Sequence, residues 1–267
     1  MMLIGGVLGV AIGAVLGLTG AGGGIFAVPA LLFGLGMDIR TAAPVALLAV
    51  GAAAGLGTFQ GLRQGLVRYK AAGVLAAAGA VTAPLGVHVA HTAPPHWLNL
   101  IFVAVMLVVA YRMFMSANKT QTGGELIMMR TSVCKISKET GCFIWGAKTV
   151  VTMAGIGAVS GFFTGMLGVG GGFIIVPALA CFTELRMHSV VATSLMVIAL
   201  LSFFTVFTAS RHGLSMSPAT WAFVLTALAG MAAARLVAPK ISSVVLQKVF
   251  SIACVVVAIM MLMRTIG

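Results

Sequence analysis

The chain has 267 residues, 61% of them hydrophobic and 7% charged, with a mean hydropathy of +1.16 and a formal net charge of +12. Soluble domains carry about 25% charged residues, so this composition excludes one. The four acids, Asp38, Glu125, Glu139 and Glu184, leave little for carboxylate catalysis, and the 16 Lys and Arg sit singly at the ends of apolar runs rather than on a nucleic-acid-binding face. That scatter fits positive-inside topology and contact with anionic membrane lipid, and a positive field favours an anionic solute.

In chain order, apolar segments are predicted at 2–19, 24–36, 41–60, 71–91 and 97–115, a polar stretch at 116–148, and a second series at 149–167, 172–184, 188–209, 218–238 and 244–263. Segments near 20 residues suit helices crossing a hydrocarbon core about 30 Å thick. The two that follow glycine clusters are shorter and suit half-helices or tilted spans. The first cation is Arg40, so no basic region precedes the first apolar run, and residues 2–18 are expected to stay as a membrane segment rather than be cleaved.

The segment GLTGAGGGIFAVPALL (17–32) returns as GMLGVGGGFIIVPALA (165–180), 148 residues later and in register. The same offset carries Leu47 to Leu195, Phe59 to Phe207, Arg63 to Arg211, Leu98 to Leu246 and Phe102 to Phe250. The chain therefore divides into a first repeat (1–115), a connector (116–148) and a second repeat (149–267). Arg63, Arg68 and Lys70 enrich one loop of the first half, while Arg235 and Lys240 enrich the opposite loop of the second. This reversal predicts an inverted-topology repeat. The stretch from Arg112 to Lys148 has six bases and two acids and is expected in the cytoplasm. The fold class is thus an all-α polytopic membrane protein with eight to ten transmembrane segments, depending on whether the glycine-flanked pieces cross. With ten crossings both chain ends face away from the cytoplasm.

A triple glycine breaking an apolar run exposes backbone polar groups that hydrocarbon cannot satisfy. The half-helix after the break begins with unpaired N–H groups and a positive dipole end, which together attract anions. The candidate binding residues are Gly22, Gly23, Gly24, Gly170, Gly171 and Gly172, facing one another across a pseudo-twofold axis. Tight helix crossing is the alternative use of these glycines. Pro29 and Pro177 are expected to shape the short helices, each releasing a carbonyl four residues earlier, with gating as the functional alternative. Thr19, Thr193 and Ser194 are candidate donors, although membrane hydroxyls often bond their own backbone. Asp38 and Glu184 lie beside Arg40 and Arg186, which suits interfacial ion pairs or, alternatively, proton coupling. His88, His91, His96 and His212 are loop histidines that could sense pH. Cys134 and Cys142 match no zinc spacing, Cys181 and Cys254 read as core residues, and no disulfide, metal or cofactor is implied. No HExxH, GxSxG or Walker motif occurs, so the chain is not read as an enzyme.

The paired motifs GLTGAGGGIFAVPAL and GMLGVGGGFIIVPAL resemble those of the TauE/SafE family of sulfite-exporter-like permeases, and the chain length, two halves and central connector are similar as well. The first copy departs from the second at Thr19, where Leu167 stands, and in RTAAPVAL against ATSL. The resemblance implies an inner-membrane secondary transporter that moves sulfite or a sulfonate such as sulfoacetate outward. It carries over to the glycine clusters, Pro29 and Pro177, and to Thr193 and Ser194. The expected partners are a small anionic solute, a coupling ion (H+ or Na+) and lipid. A passive anion channel and a non-transporting scaffold remain as alternatives.

Overall fold

The computed structural model describes residues 2–19, 23–121, 146–183, 185, 187–210, 218–237 and 243–266. These form α1 (Met2–Thr19), α2 (Gly24–Gly34), α3 (Ile39–Arg63), α4 (Tyr69–Thr92), α5 (Pro95–Gln121), α6 (Ala147–Leu167), α7 (Gly172–Phe182), α8 (Met187–Ser210), α9 (Pro218–Val237) and α10 (Ser243–Ile266). Helices α3, α4, α5, α6, α8 and α9 are long and apolar enough to cross a membrane, and α1 and α10 are apolar over shorter stretches. The protein is a multi-pass helical membrane protein. Pro95 and Pro218 open α5 and α9, where a missing N–H costs nothing. Gly65, at φ 65°, turns α3 into α4. The α5 helix runs to Gln121, past the segment end predicted at 115, so part of the expected connector is helical. Residues 122–145 of the connector, with Cys134 and Cys142, lie outside the described residues, as do Arg211, His212 and Lys240, and the connector's last residues open α6.

The α2 helix folds back along α1. Gly23 packs on the Leu16 backbone, Gly34 on Leu8 and Ile4, and Gly5 reaches Leu35. Its 11 residues extend roughly 16 Å, about half the hydrocarbon thickness. The start of α3 therefore lies at the same end of the bundle as the start of α1.

Glycine stripes set the closest packing. On α1, Gly5, Gly9, Gly13 and Gly17 meet Ala219, Phe223, Ala227 and Met231 of α9, so the two helices run parallel. On α6, Gly157, Gly161 and Gly165 meet Leu75, Gly79 and Ala83 of α4, again parallel. A Cβ at Gly13 or Gly161 would overlap the carbonyl of Ala227 or of Gly79. Small residues at four-residue spacing permit such backbone contact, which drives helix association where lipid removes the hydrophobic drive.

The two pairs are equivalent under the 148-residue offset, which carries α1 onto α6 and α4 onto α9. The other main pairings obey the same exchange: α3 packs on its counterpart α8, α5 on its counterpart α10, and α3 against α9 mirrors α8 against α4. The halves interleave rather than standing side by side. Gly51, Gly57 and Gly61 of α3 face Ser202, Leu195 and Ala192 of α8 in descending order, so these equivalent helices cross antiparallel.

Candidate functional site

The two glycine breaks meet at the α3–α8 crossing. A Cβ at Gly24, the first residue of α2, would run into the Val169 carbonyl of the second break and would come 3.3 Å from the Val50 Cγ1. A Cβ at Gly170 would stand 3.1 Å from the Ile198 Cγ2, 3.3 Å from the same Val50 methyl and 3.6 Å from the Ser202 Oγ. Val50, Val169 and Ile198 are each 1% exposed, so the junction is sealed from bulk solvent. The structure thus brings together Gly23, Gly24, Gly170, Gly171 and Gly172, while Gly22 lies outside the described residues.

The breaks differ in conformation at Gly23 and its counterpart Gly171. Gly23 has φ −58° and ψ −30°, an ordinary right-handed pair. Gly168, Gly170 and Gly171 have φ of 73°, 78° and 66°, the left-handed region that other residues enter at a cost of about 1–2 kcal/mol. Ser160 donates from its Oγ to the Gly171 carbonyl (3.2 Å), and the Thr164 hydroxyl donates to the Ser160 carbonyl (2.7 Å). A Cβ at Gly171 would strike both hydroxyl oxygens. A leucine at Gly23 or Gly171 would therefore displace packed neighbours before it reached a binding pocket.

Thr19 donates to the Val15 carbonyl (2.7 Å), a bond to its own helix, and its side chain lines a cavity of about 10 Å³ with Gly172, Phe173, Pro177 and Phe250. That is near the smallest volume able to hold one water. Pro177 withdraws the donor that the Phe173 carbonyl would otherwise receive. Pro29 is buried within α2, and both prolines sit inside continuous helices. Ser194 donates to the Val191 carbonyl (2.8 Å), and Thr193 accepts the Arg68 backbone N–H (3.1 Å) at the α3–α4 link. Neither hydroxyl touches the breaks: Thr193 ties two elements and Ser194 bonds its own turn. Asp38 is an exposed residue at the start of α3, where its carbonyl accepts from Thr41 and Ala42. The expected ion pair with Arg40 is absent among the described residues, because Arg40 donates instead to the Ala93 carbonyl (2.9 Å). Glu184 and Arg186 lie outside the described residues.

One residue of the junction went unread in the sequence. Ser202 is 1% exposed, and its Oγ has no hydrogen-bond partner. An unpaired buried hydroxyl costs about 1–3 kcal/mol. Arg68 Nε, Asn99 Oδ1 and Gln247 Oε1 are also buried and unpartnered, but Ser202 is the one that the glycine contacts place beside a break. Its Cβ would lie 2.5 Å from a Cβ at Gly51, so glycine there is what admits it to the junction.

The two ends of the bundle are unlike. At the α3 start, Arg40, Pro44, Val87, His91 and Thr205 line a cavity of about 30 Å³. At the α3 end, Arg235 donates from one guanidinium nitrogen to the Gly57 carbonyl (2.8 Å) and to the Gln60 Oε1 (3.1 Å). The offset places Arg235 over Val87, so the residue that ties α9 to α3 at one end has a counterpart that lines the cavity at the other.

The family model for the sulfite exporters TauE/SafE matches residues 5–261. A probable membrane transporter protein of Xylella fastidiosa strain 9a5c is 28% identical over 257 residues, covering 95% of this chain and 92% of the relative. Another, from strain Temecula1, is 27% identical over 263 residues with the same coverage. No solved structure matches.

Proposed function

The chain belongs to the TauE/SafE family, and on that premise we propose that it is a permease carrying a small oxyanion, sulfite or an organosulfonate such as sulfoacetate, outward across the bacterial inner membrane by alternating access. The observation that carries the reading is the meeting of both glycine breaks where the equivalent helices α3 and α8 cross antiparallel. Two halves related in this way, inverted across the membrane, can rock about a shared site while exposing it to one face at a time. The backbone donors at the start of a broken helix suit an acceptor-only solute. Asp38, exposed at a helix start, is the one acid among the described residues, so a cationic solute would find no counter-charge at the junction.

The unlike mouths support an occluding carrier over an open channel. The cavity at the α3 start and the Arg235 bolt at the α3 end describe one of two alternating states. With the basic connector in the cytoplasm, the bolt is on the cytoplasmic side and the cavity faces outward. Coupling to H+ or Na+ completes the proposal. The test is sulfite and sulfoacetate flux in proteoliposomes, with and without proton and sodium gradients. We expect saturable flux that responds to one gradient. Flux faster than carriers allow and indifferent to both gradients would mark a passive channel, and no flux of any oxyanion would favour a scaffold.

A further inference from the structure

We propose that the solute site is one-sided: the oxyanion is held by the start of α7 and by the hydroxyl of Ser202, while the start of α2 is a packing element. This rests on the transport reading above and assigns its site to the second half of the chain. The first amides of α7, those of Gly172 and Phe173, have no intrahelical acceptor, and they follow directly on the left-handed pair Gly170 and Gly171. Ser202 stands against that pair with a hydroxyl that is buried and unpartnered, 3.6 Å from where a Gly170 side chain would begin. A donor held there without an acceptor suits an oxygen that arrives with the solute.

The first half lacks the three hydroxyls of this arrangement, although its Thr19 lines the small cavity at the start of α7. The 148-residue offset sets Ser160 over Ile12, Thr164 over Leu16 and Ser202 over Ala54. Ser160 and Thr164 spend their hydrogens on the Gly171 and Ser160 carbonyls, which fixes the loop and leaves Ser202 as the free donor. Ile12, Leu16 and Ala54 are buried, and of these Leu16 lies against Gly23 of the first break. The apolar Leu16 occupies the space beside Gly23 that Ser160 and Thr164 occupy beside Gly171.

The test uses the full chain in proteoliposomes with sulfite as the probe. Ser202→Ala removes one oxygen and should raise the half-saturating sulfite concentration about tenfold, the loss expected for one hydrogen bond to a charged group, with the maximal rate within about twofold of native. Ala54→Ser, at the equivalent position of the first half, should leave both parameters at native values. Native half-saturation in Ser202→Ala, with thermal unfolding unchanged, overturns the one-sided site and leaves the transport reading standing. A rise in half-saturation in Ala54→Ser equal to that in Ser202→Ala also overturns it. Absence of oxyanion flux from the native protein overturns the transport reading and this inference together.

Discussion

The two glycine breaks share the pattern GxxGxGGGxxxxP, yet the equivalent residues Gly23 and Gly171 differ in conformation. Gly23 continues a right-handed path into α2, whereas Gly168, Gly170 and Gly171 turn left-handed before α7. Around the second break stand Ser160, Thr164 and Ser202, whose counterparts under the offset are the buried Ile12, Leu16 and Ala54. The helix pairings match under the offset, and the side chains at equivalent positions differ. A break lined with hydroxyls can offer donors to a solute, while one lined with aliphatic side chains can only be packed. The same contrast separates the two ends of the bundle, where Arg235 ties α9 to α3 at one and Val87 lines a cavity at the other. Equality in the scaffold and inequality in the lining are distinct claims, and each can be broken separately.

The largest expected effect tests the equality. Gly13→Leu and Gly161→Leu each force a side chain into the backbone of the partner helix, at Ala227 and Gly79. Overpacking of a core typically costs about 1–3 kcal/mol, and against backbone it should reach the top of that range or exceed it. Both variants should lose cooperative thermal unfolding in detergent to a similar extent. Tolerance of one alone would mean that the halves do not share their packing.

The Arg235 bolt comes next in size. Arg235→Gln removes a charge-assisted bond to the Gly57 carbonyl, worth about 1.5–3 kcal/mol. The state closed at the α3 end should lose that much against its alternative. Hydrogen exchange over residues 57–68 should accelerate, while residues 40–47, beside the opposite cavity, keep native protection. Equal acceleration at both mouths would erase the contrast between them.

Much of the scaffold was legible in the chain. The 148-residue register, the half-helices and the six long apolar spans follow from hydropathy and punctuation. The stripe Gly5, Gly9, Gly13, Gly17 was also visible at four-residue spacing, but its partner helix was not, because the pairing of α1 with α9 joins residues more than 200 positions apart. The hydroxyls were harder to rank for a physical reason. A serine or threonine in a helix ordinarily bonds its own preceding turn, as Thr19, Ser194 and Thr205 do here. Nothing in the run LLSFFT distinguishes Ser202 from them. Its lack of a partner arises from the antiparallel register of α3 against α8, with Gly51 opposite, which no local pattern encodes.

The smallest expected effect concerns Asp38, whose counterpart under the offset is Arg186. This is an inequality of charge to which the structure attaches no lining role. Asp38 precedes α3, makes no side-chain cap, and is exposed at the end of the helix whose middle residues Val50 and Gly51 reach the junction. A carboxylate there gains only from the α3 dipole, about 0.3–1 kcal/mol before solvent screening, so Asp38→Asn should lower thermal stability slightly or not at all. Proton coupling demands more, since the carboxyl must be exposed to alternate faces of the membrane as the solute site is. The variant should therefore keep native oxyanion flux and the native response to a proton gradient. Loss of that response with stability intact would make Asp38 the coupling residue, and would move the functional asymmetry of the molecule from the second break to the start of α3.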